Sequence, residues 1–198
     1  MKTIFHKYPI LLFLSLAFAG CDTSDTKFFE DPHNRGLSIF STTANNIASA
    51  YFGSQTWKTR DRIYNILEPT SYEIHIQKLV TNSASDTLVI RWRGMINGQD
   101  NYLPISLNYF IAIPKNFNAT SFNLFKGQRI TADGITSYFT VDGASFLPKG
   151  KGTGSIYFHM CEIQISSVTD GNGRLAGLFE AAIGDYKITK GRFDHSLS

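Results

Sequence analysis

Five histidines, two cysteines and a scatter of carboxylates are the side chains in this sequence whose types could do chemistry. His159 and Cys161 stand two apart in a stretch that reads as strand, where residues i and i+2 share a face and can touch one ion. Two ligands do not make a metal site, and none of His6, His33, His75, His159 and His195 stands at a His-x-x-x-His spacing. Asp194-His195 is the one adjacent acid and imidazole, but it lies close to the C-terminus, where fraying is the default. No Gly-x-Ser-x-Gly elbow is present to present a nucleophilic serine. A glycosidase needs two carboxylates across one cleft, and Glu73, Glu162 and Glu180 cannot be paired by spacing. Lys149-Gly150-Lys151-Gly152-Thr153-Gly154 looks like a phosphate loop but has glycine where Ser or Thr must follow the lysine, and it leads into a strand, so it reads as a mobile basic loop. Asp170-Gly171-Asn172-Gly173 offers two oxygen donors without the terminal glutamate of a calcium loop, and a tight turn accounts for it. These residues predict no catalytic group, no metal and no cofactor.

Aromatic side chains are the other resource, with 16 Phe, nine Tyr and two Trp. Strand parity assigns Tyr72, Trp92, Tyr109 and Phe158 to apolar faces. Tyr102, Phe117, Phe122 and Phe146 fall between the strands, and two readings stand for them: a ring-lined ligand mouth at one end of the fold, or ordinary packing beneath loops.

The N-terminus carries a separate chemistry. Lys2 and Lys7 precede the apolar run from Ile10 to Phe18, and the small pair Ala19-Gly20 leads into Cys21. A charged start, a short apolar middle and small residues before a cut make a secretory signal over residues 1–20. The run is shorter than the roughly 20 apolar residues that a membrane span requires. Phe18-Ala19-Gly20-Cys21 resembles the lipobox of bacterial lipoproteins, with Phe18 in place of the preferred leucine. That resemblance implies a diacylglycerol thioether on Cys21 and a membrane tether through it, in the outer membrane of the cell envelope, with the periplasmic and surface-facing leaflets both open. Loss of residues 1–20 removes two lysines and leaves 17 basic against 16 acidic residues, so nothing in the charge favours a nucleic-acid partner. With Cys21 acylated, Cys161 has no partner for a disulfide and reads as a small buried hydrophobe.

The elements that must position these groups are strands. Residues 21–44 are polar and aperiodic and read as a flexible tether, leaving 45–198 as a single domain. In 72–79 the residues Tyr72, Ile74 and Ile76 alternate with Glu73, His75 and Gln77. In 87–96 the residues Leu88, Ile90, Trp92 and Ile96 share one face, and in 105–113 every odd position is apolar. Asp133-Gly134 separates 128–131 from 136–141 as a hairpin turn would. Between 154 and 168 the apolar parity changes after Met160, so a β-bulge is expected near Cys161-Glu162. The total is an all-β domain of roughly ten antiparallel strands, either a β-sandwich or a calycin-like barrel.

The strand containing Ala48, the segment from Gly53 through Trp57, and a C-terminal hairpin closing in Gly191-Arg192-Phe193 resemble a group of small Bacteroidota lipoproteins of unknown function. The resemblance implies an envelope lipoprotein of sandwich or calycin-like build, close backbone packing at Gly177 and Gly191, and core positions for Trp57, Phe179 and Phe193. It carries over no catalytic residue. The expectation is a lipid-anchored, noncatalytic binding module whose partner is a glycan, a small apolar ligand or an envelope protein. A lipocalin-like carrier of a small apolar molecule is the alternative, and a hydrolase comes third.

Overall fold

A computed structural model of the chain describes residues 29–43, 45–59, 62–63, 70–71, 74–81, 84–96, 105–143, 145–165 and 171–197. The strands are β1 (Glu30–Asp31), β2 (Asn34–Ser38), β3 (Ile47–Phe52), β4 (Gln55–Thr59), β5 (Arg62–Ile63), β6 (Thr70–Ser71), β7 (His75–Leu79), β8 (Asp86–Ile96) and β9 (Ile105–Ile113). A five-residue helix α1 (Ala119–Asn123) follows, then β10 (Arg129–Ala132), β11 (Tyr138–Asp142), β12 (Thr153–Ile165), β13 (Gly171–Ile183) and β14 (Tyr186–Leu197). Ten of the strands form one antiparallel sheet.

That sheet is a barrel rather than a sandwich. β12, β13, β14, β3, β4, β8, β9 and β11 pair in that order, and the last returns to the first at a bridge between Phe139 and Gly152. Both backbone hydrogen bonds of the bridge are made, Phe139 N to Gly152 O at 3.0 Å and Gly152 N to Phe139 O at 2.8 Å. β4 and β7 lie on one edge of β8, opposite β9, as successive lengths of the same stave. β10 and the Phe139 bridge likewise share one edge of β12, opposite β13. The ten strands therefore make an up-and-down barrel of eight staves, and closure removes the exposed edges that an open sheet would present.

Alternation sends the aromatics inward. Phe52, Trp57, Trp92, Tyr109, Phe139, Phe158, Phe179 and Phe193 are all buried. Phe52 stacks on Trp57 at 5.1 Å between centroids, Trp92 on Phe179 at 5.5 Å and Tyr109 on Phe139 at 4.3 Å, geometries that aromatic quadrupoles favour. The polar ends of two rings find carbonyls: Trp57 Nε1 donates to Ile105 O at 3.3 Å, and Tyr109 OH to Ile130 O at 3.1 Å. Room for these rings comes from glycine. A Cβ at Gly191 would overlap the Phe179 ring, and one at Gly177 would overlap the Tyr157 carbonyl.

Four expectations are corrected. Asp133-Gly134 is not a hairpin turn, because β10 and β11 do not pair with each other and both run antiparallel to β12. Asp133 instead closes a small outward loop, accepting from the backbone N–H groups of Ile135, Thr136 and Ser137 at 2.8, 2.9 and 3.0 Å. The β12 register shift falls between Phe158 and Met160, earlier than Cys161-Glu162, so the parity changes before Met160. Residues 29–43 are not a free tether: β1 and β2 form a hairpin on the outer wall of β3 and β14, with Leu37 and Ser38 buried. Finally, β14 runs paired to Leu197, so His195 is not in a frayed tail.

The hairpin is held by charge. Arg192, buried on β14, donates through Nη1 to Asp31 Oδ2 at 2.5 Å and to Ser38 O at 3.0 Å. Ser38 and Ser49 share a hydroxyl hydrogen bond at 2.8 Å, and Asn45 N donates to Asp194 Oδ2 at 3.1 Å.

Because the Phe179 ring is pinned by Trp92, Gly191→Ala leaves the new methyl no free space. We expect a loss of about 1–3 kcal/mol in folding free energy, read as a lower urea midpoint with an unchanged slope. An unchanged midpoint would show that the ring yields.

Candidate functional site

Two of the four loop aromatics come together at one end of the barrel. After β9, the chain turns through Phe117 into α1, whose N-cap Asn118 accepts Ser121 N through Oδ1 at 3.0 Å. One turn is enough to drive Phe122 inward, where it is buried against Phe158 at 6.4 Å between centroids. Phe117 and Phe125 close over it at 6.5 and 5.8 Å, and Phe125 stacks on Phe158 at 5.5 Å. The result is an aromatic plug. Phe146 follows β11, whose end pairs with the start of β9, so it leaves from the opposite end and is 48 % exposed. Tyr102 and Cys21 lie outside the described residues, so the four rings are not seen to form one mouth.

The plug is fastened by an ion cluster that the sequence did not announce. Asp86, buried at the start of β8, receives Lys115 Nζ at 2.6 Å and lies 3.3 Å from Lys78 Nζ. Hydrogen bonds from Lys115, Thr81 N and Lys78 hold its carboxyl at a pKa of about 2. Lys78 Nζ also donates to the carbonyls of Lys115 and Phe117 at 3.0 and 3.1 Å, tying β7 to the stretch that carries the plug. Around this end Val80 is 79 % exposed, Leu124 72 % and Leu79 37 %. The rim is aliphatic and the rings lie beneath it.

The chemical candidates are placed apart. His159 occupies the β12 register shift and points outward, between Phe40 at 4.9 Å and Tyr157 at 4.8 Å. Cys161 is buried on the inner side, its thiol donating to Phe122 O at 3.1 Å, so the bulge separates the two residues that regular pleating would have put on one face. Burial, and then Glu162, push the Cys161 thiol up to a pKa of about 12, far from a reactive thiolate. Glu162 pairs with Lys126 at 2.6 Å, and Glu180 lies 3.5 Å from the Ser155 hydroxyl; Glu73 lies outside the described residues. Asp194 and His195 are neighbours on a strand and face opposite ways, the first held on the outer wall by Asn45 and the second sealed inside. Lys151 is pinned rather than mobile, 4.0 Å from the Tyr138 ring centroid and donating to Ile135 O at 3.3 Å. Among the described residues no group of three or more His, Cys, Asp or Glu side chains gathers as metal ligands. None of the described helices is long and apolar enough to cross a membrane.

The class defined by this geometry is an up-and-down antiparallel β-barrel with an aromatic interior and a plugged end. No family model, no curated protein and no solved structure matches the chain.

His195 gives the barrel an acid sensitivity. Burial pushes its imidazole down to a pKa of about 3, against 6.5 in an unfolded chain, and Nε2 has no hydrogen-bond partner among the described residues. The unfolded chain therefore binds a proton first, and stability falls as pH drops from about 6.5 toward 3. His195→Leu should flatten the dependence of melting temperature on pH between 6.5 and 4. Parallel slopes for the two proteins over that range would show that His195 is not the responsible group, since the contribution of Asp86 is lost only as pH falls below about 4 and through about 2.

Proposed function

We propose that this protein is a lipid-anchored, noncatalytic binding module of the bacterial envelope, and that it engages an envelope protein through the plugged end of its barrel. The observation that carries the reading is the rim itself: Val80 and Leu124 stand largely exposed at the end of the barrel where Phe117, Phe122 and Phe125 pack together. Exposed aliphatic side chains on a fixed support are what a protein interface buries, whereas a glycan platform needs flat rings open to solvent. The plug rings are packed against one another, and Phe122 is buried. The ion cluster of Lys78, Asp86 and Lys115 supplies rigidity beneath the rim, which lowers the ordering cost of association. The lipobox-like segment ending in Cys21 supports placement at the membrane.

A photoreactive residue at Leu124 in the full chain, expressed in a bacterial envelope, should give a discrete cross-linked protein adduct that Val80→Glu abolishes. An adduct that persists unchanged in the variant would remove the rim from the reading.

Carriage of a small apolar molecule is the second reading, supported by the closed barrel and by the one short helix, α1, that carries the plug among the described residues. Native mass spectrometry of the envelope-purified protein separates the two. A bare mass is expected for the interaction module, and a discrete excess mass would favour the carrier.

A further inference from the structure

We propose that the β1–β2 hairpin is the membrane-facing side of the barrel, seating Phe29 and Ile39 in the boundary between headgroups and acyl chains of the bilayer that holds Cys21. The proposal rests on the lipid-anchor reading and adds a pose to it. Phe29 and Ile39 are 57 % and 45 % exposed, and they are neighbours across the open end of the hairpin, with Ile39 N donating to Phe29 O at 2.6 Å. Two large apolar side chains meet water there although the rest of the hairpin is tied down. The position of Cys21 in the sequence bounds how far this patch can stand from the bilayer. Phe29 is eight residues after Cys21, and eight residues reach at most about 29 Å when fully extended. An acylated Cys21 therefore keeps this patch closer to the bilayer than the extended length of a single strand of that size, whatever path the chain takes.

The hairpin cannot swing away from the barrel independently. Arg192 grips Asp31 and Ser38 from below, and Tyr51 OH donates to Arg35 O at 3.0 Å. The carboxylates of the hairpin are engaged: Asp31 by Arg192, and Glu30 by Gly36 N at 2.6 Å. Arg35 is exposed at the turn end of the hairpin, and Lys190, also exposed, donates to Asn34 Oδ1 there at 2.6 Å, so cations that suit anionic headgroups stand at the end of the hairpin opposite the apolar pair. Exposed apolar side chains at one end of a hairpin and lysine and arginine at the other, a short distance from an acyl anchor, suit an interfacial contact.

The test uses the full, processed chain in vesicles of phosphatidylethanolamine and phosphatidylglycerol, with a fluorophore on Ile39→Cys or, as the control, on Val80→Cys. Cys161 is buried and does not compete for label. Nitroxide-bearing lipids should quench the label at position 39 at least threefold more than that at position 80. Equal quenching in a chain whose intact mass includes the lipid would overturn the pose while leaving the anchor. A mass without lipid, together with unchanged membrane partition of Cys21→Ser, would overturn the anchor and the pose together.

Discussion

Everything in this molecule hangs on one short closure, the paired hydrogen bonds between Phe139 and Gly152 that join the last stave of the sheet to the first. A ten-strand sheet left open there would expose two edges and one side of its aromatic face. The bridge needs glycine at position 152 because a Cβ there would come within 2.5 Å of the Ala182 carbonyl on β13. It also needs the Asp133 loop. By taking five backbone positions out of the stave, that loop lets β10 end opposite Gly154 and the Phe139 bridge form opposite Gly152, so one edge of β12 is used by two separate lengths of chain.

Once the ring is closed, its interior has a fixed cross-section and the side chains must fit it. Large rings fill most of it, and glycines are used where two rings or a ring and a backbone would collide, as at Gly191 against Phe179. Segments that do not belong to the ring are then attached from outside by buried or half-buried carboxylates paired with cations. Asp31 with Arg192 secures the hairpin, and Asp86 with Lys115 and Lys78 secures the stretch leading to the plug. The two attachments follow one logic: an apolar contact would be indifferent to register, while a directed ion pair with added backbone hydrogen bonds fixes where the segment sits.

The parts legible in the sequence were those set by period-two alternation. Leu88, Ile90, Trp92 and Ile96, and the odd positions from Ile105 to Ile113, are buried as their parity requires, and the all-β class follows from them. The choice of barrel over sandwich was not legible, since it depends on the Phe139 bridge, a contact with no local signature. Asp133-Gly134 shows why local signals mislead: the dipeptide reports that the chain turns, not whether the flanking strands pair with each other or successively with a third. The polar hairpin before residue 45 reads as tether because Leu37 is its lone buried apolar group among the described residues, and its buried Asp31 and Ser38 find their partner, Arg192, far away in sequence. Sequence position alone puts His195 in a frayed tail because it says nothing of Leu175, the strand partner that holds it. Of the candidate site, Phe117 and Phe122 were found by their position between strands, but the aliphatic rim of Val80 and Leu124 was missed, exposed aliphatics in loops being unremarkable until the aromatic floor beneath them is known.

The placement of Arg192 has a mechanical consequence. β14 is hydrogen-bonded on both sides, to β13 and to β3, and the hairpin hangs from its midpoint rather than from a terminus. A pull arriving from the N-terminal side is resisted first by the Arg192–Asp31 pair and the Ser38–Ser49 contact, and only then by the ladder itself. The buried arginine on a doubly paired stave thus fixes the N-terminal hairpin without borrowing any side chain from the barrel interior.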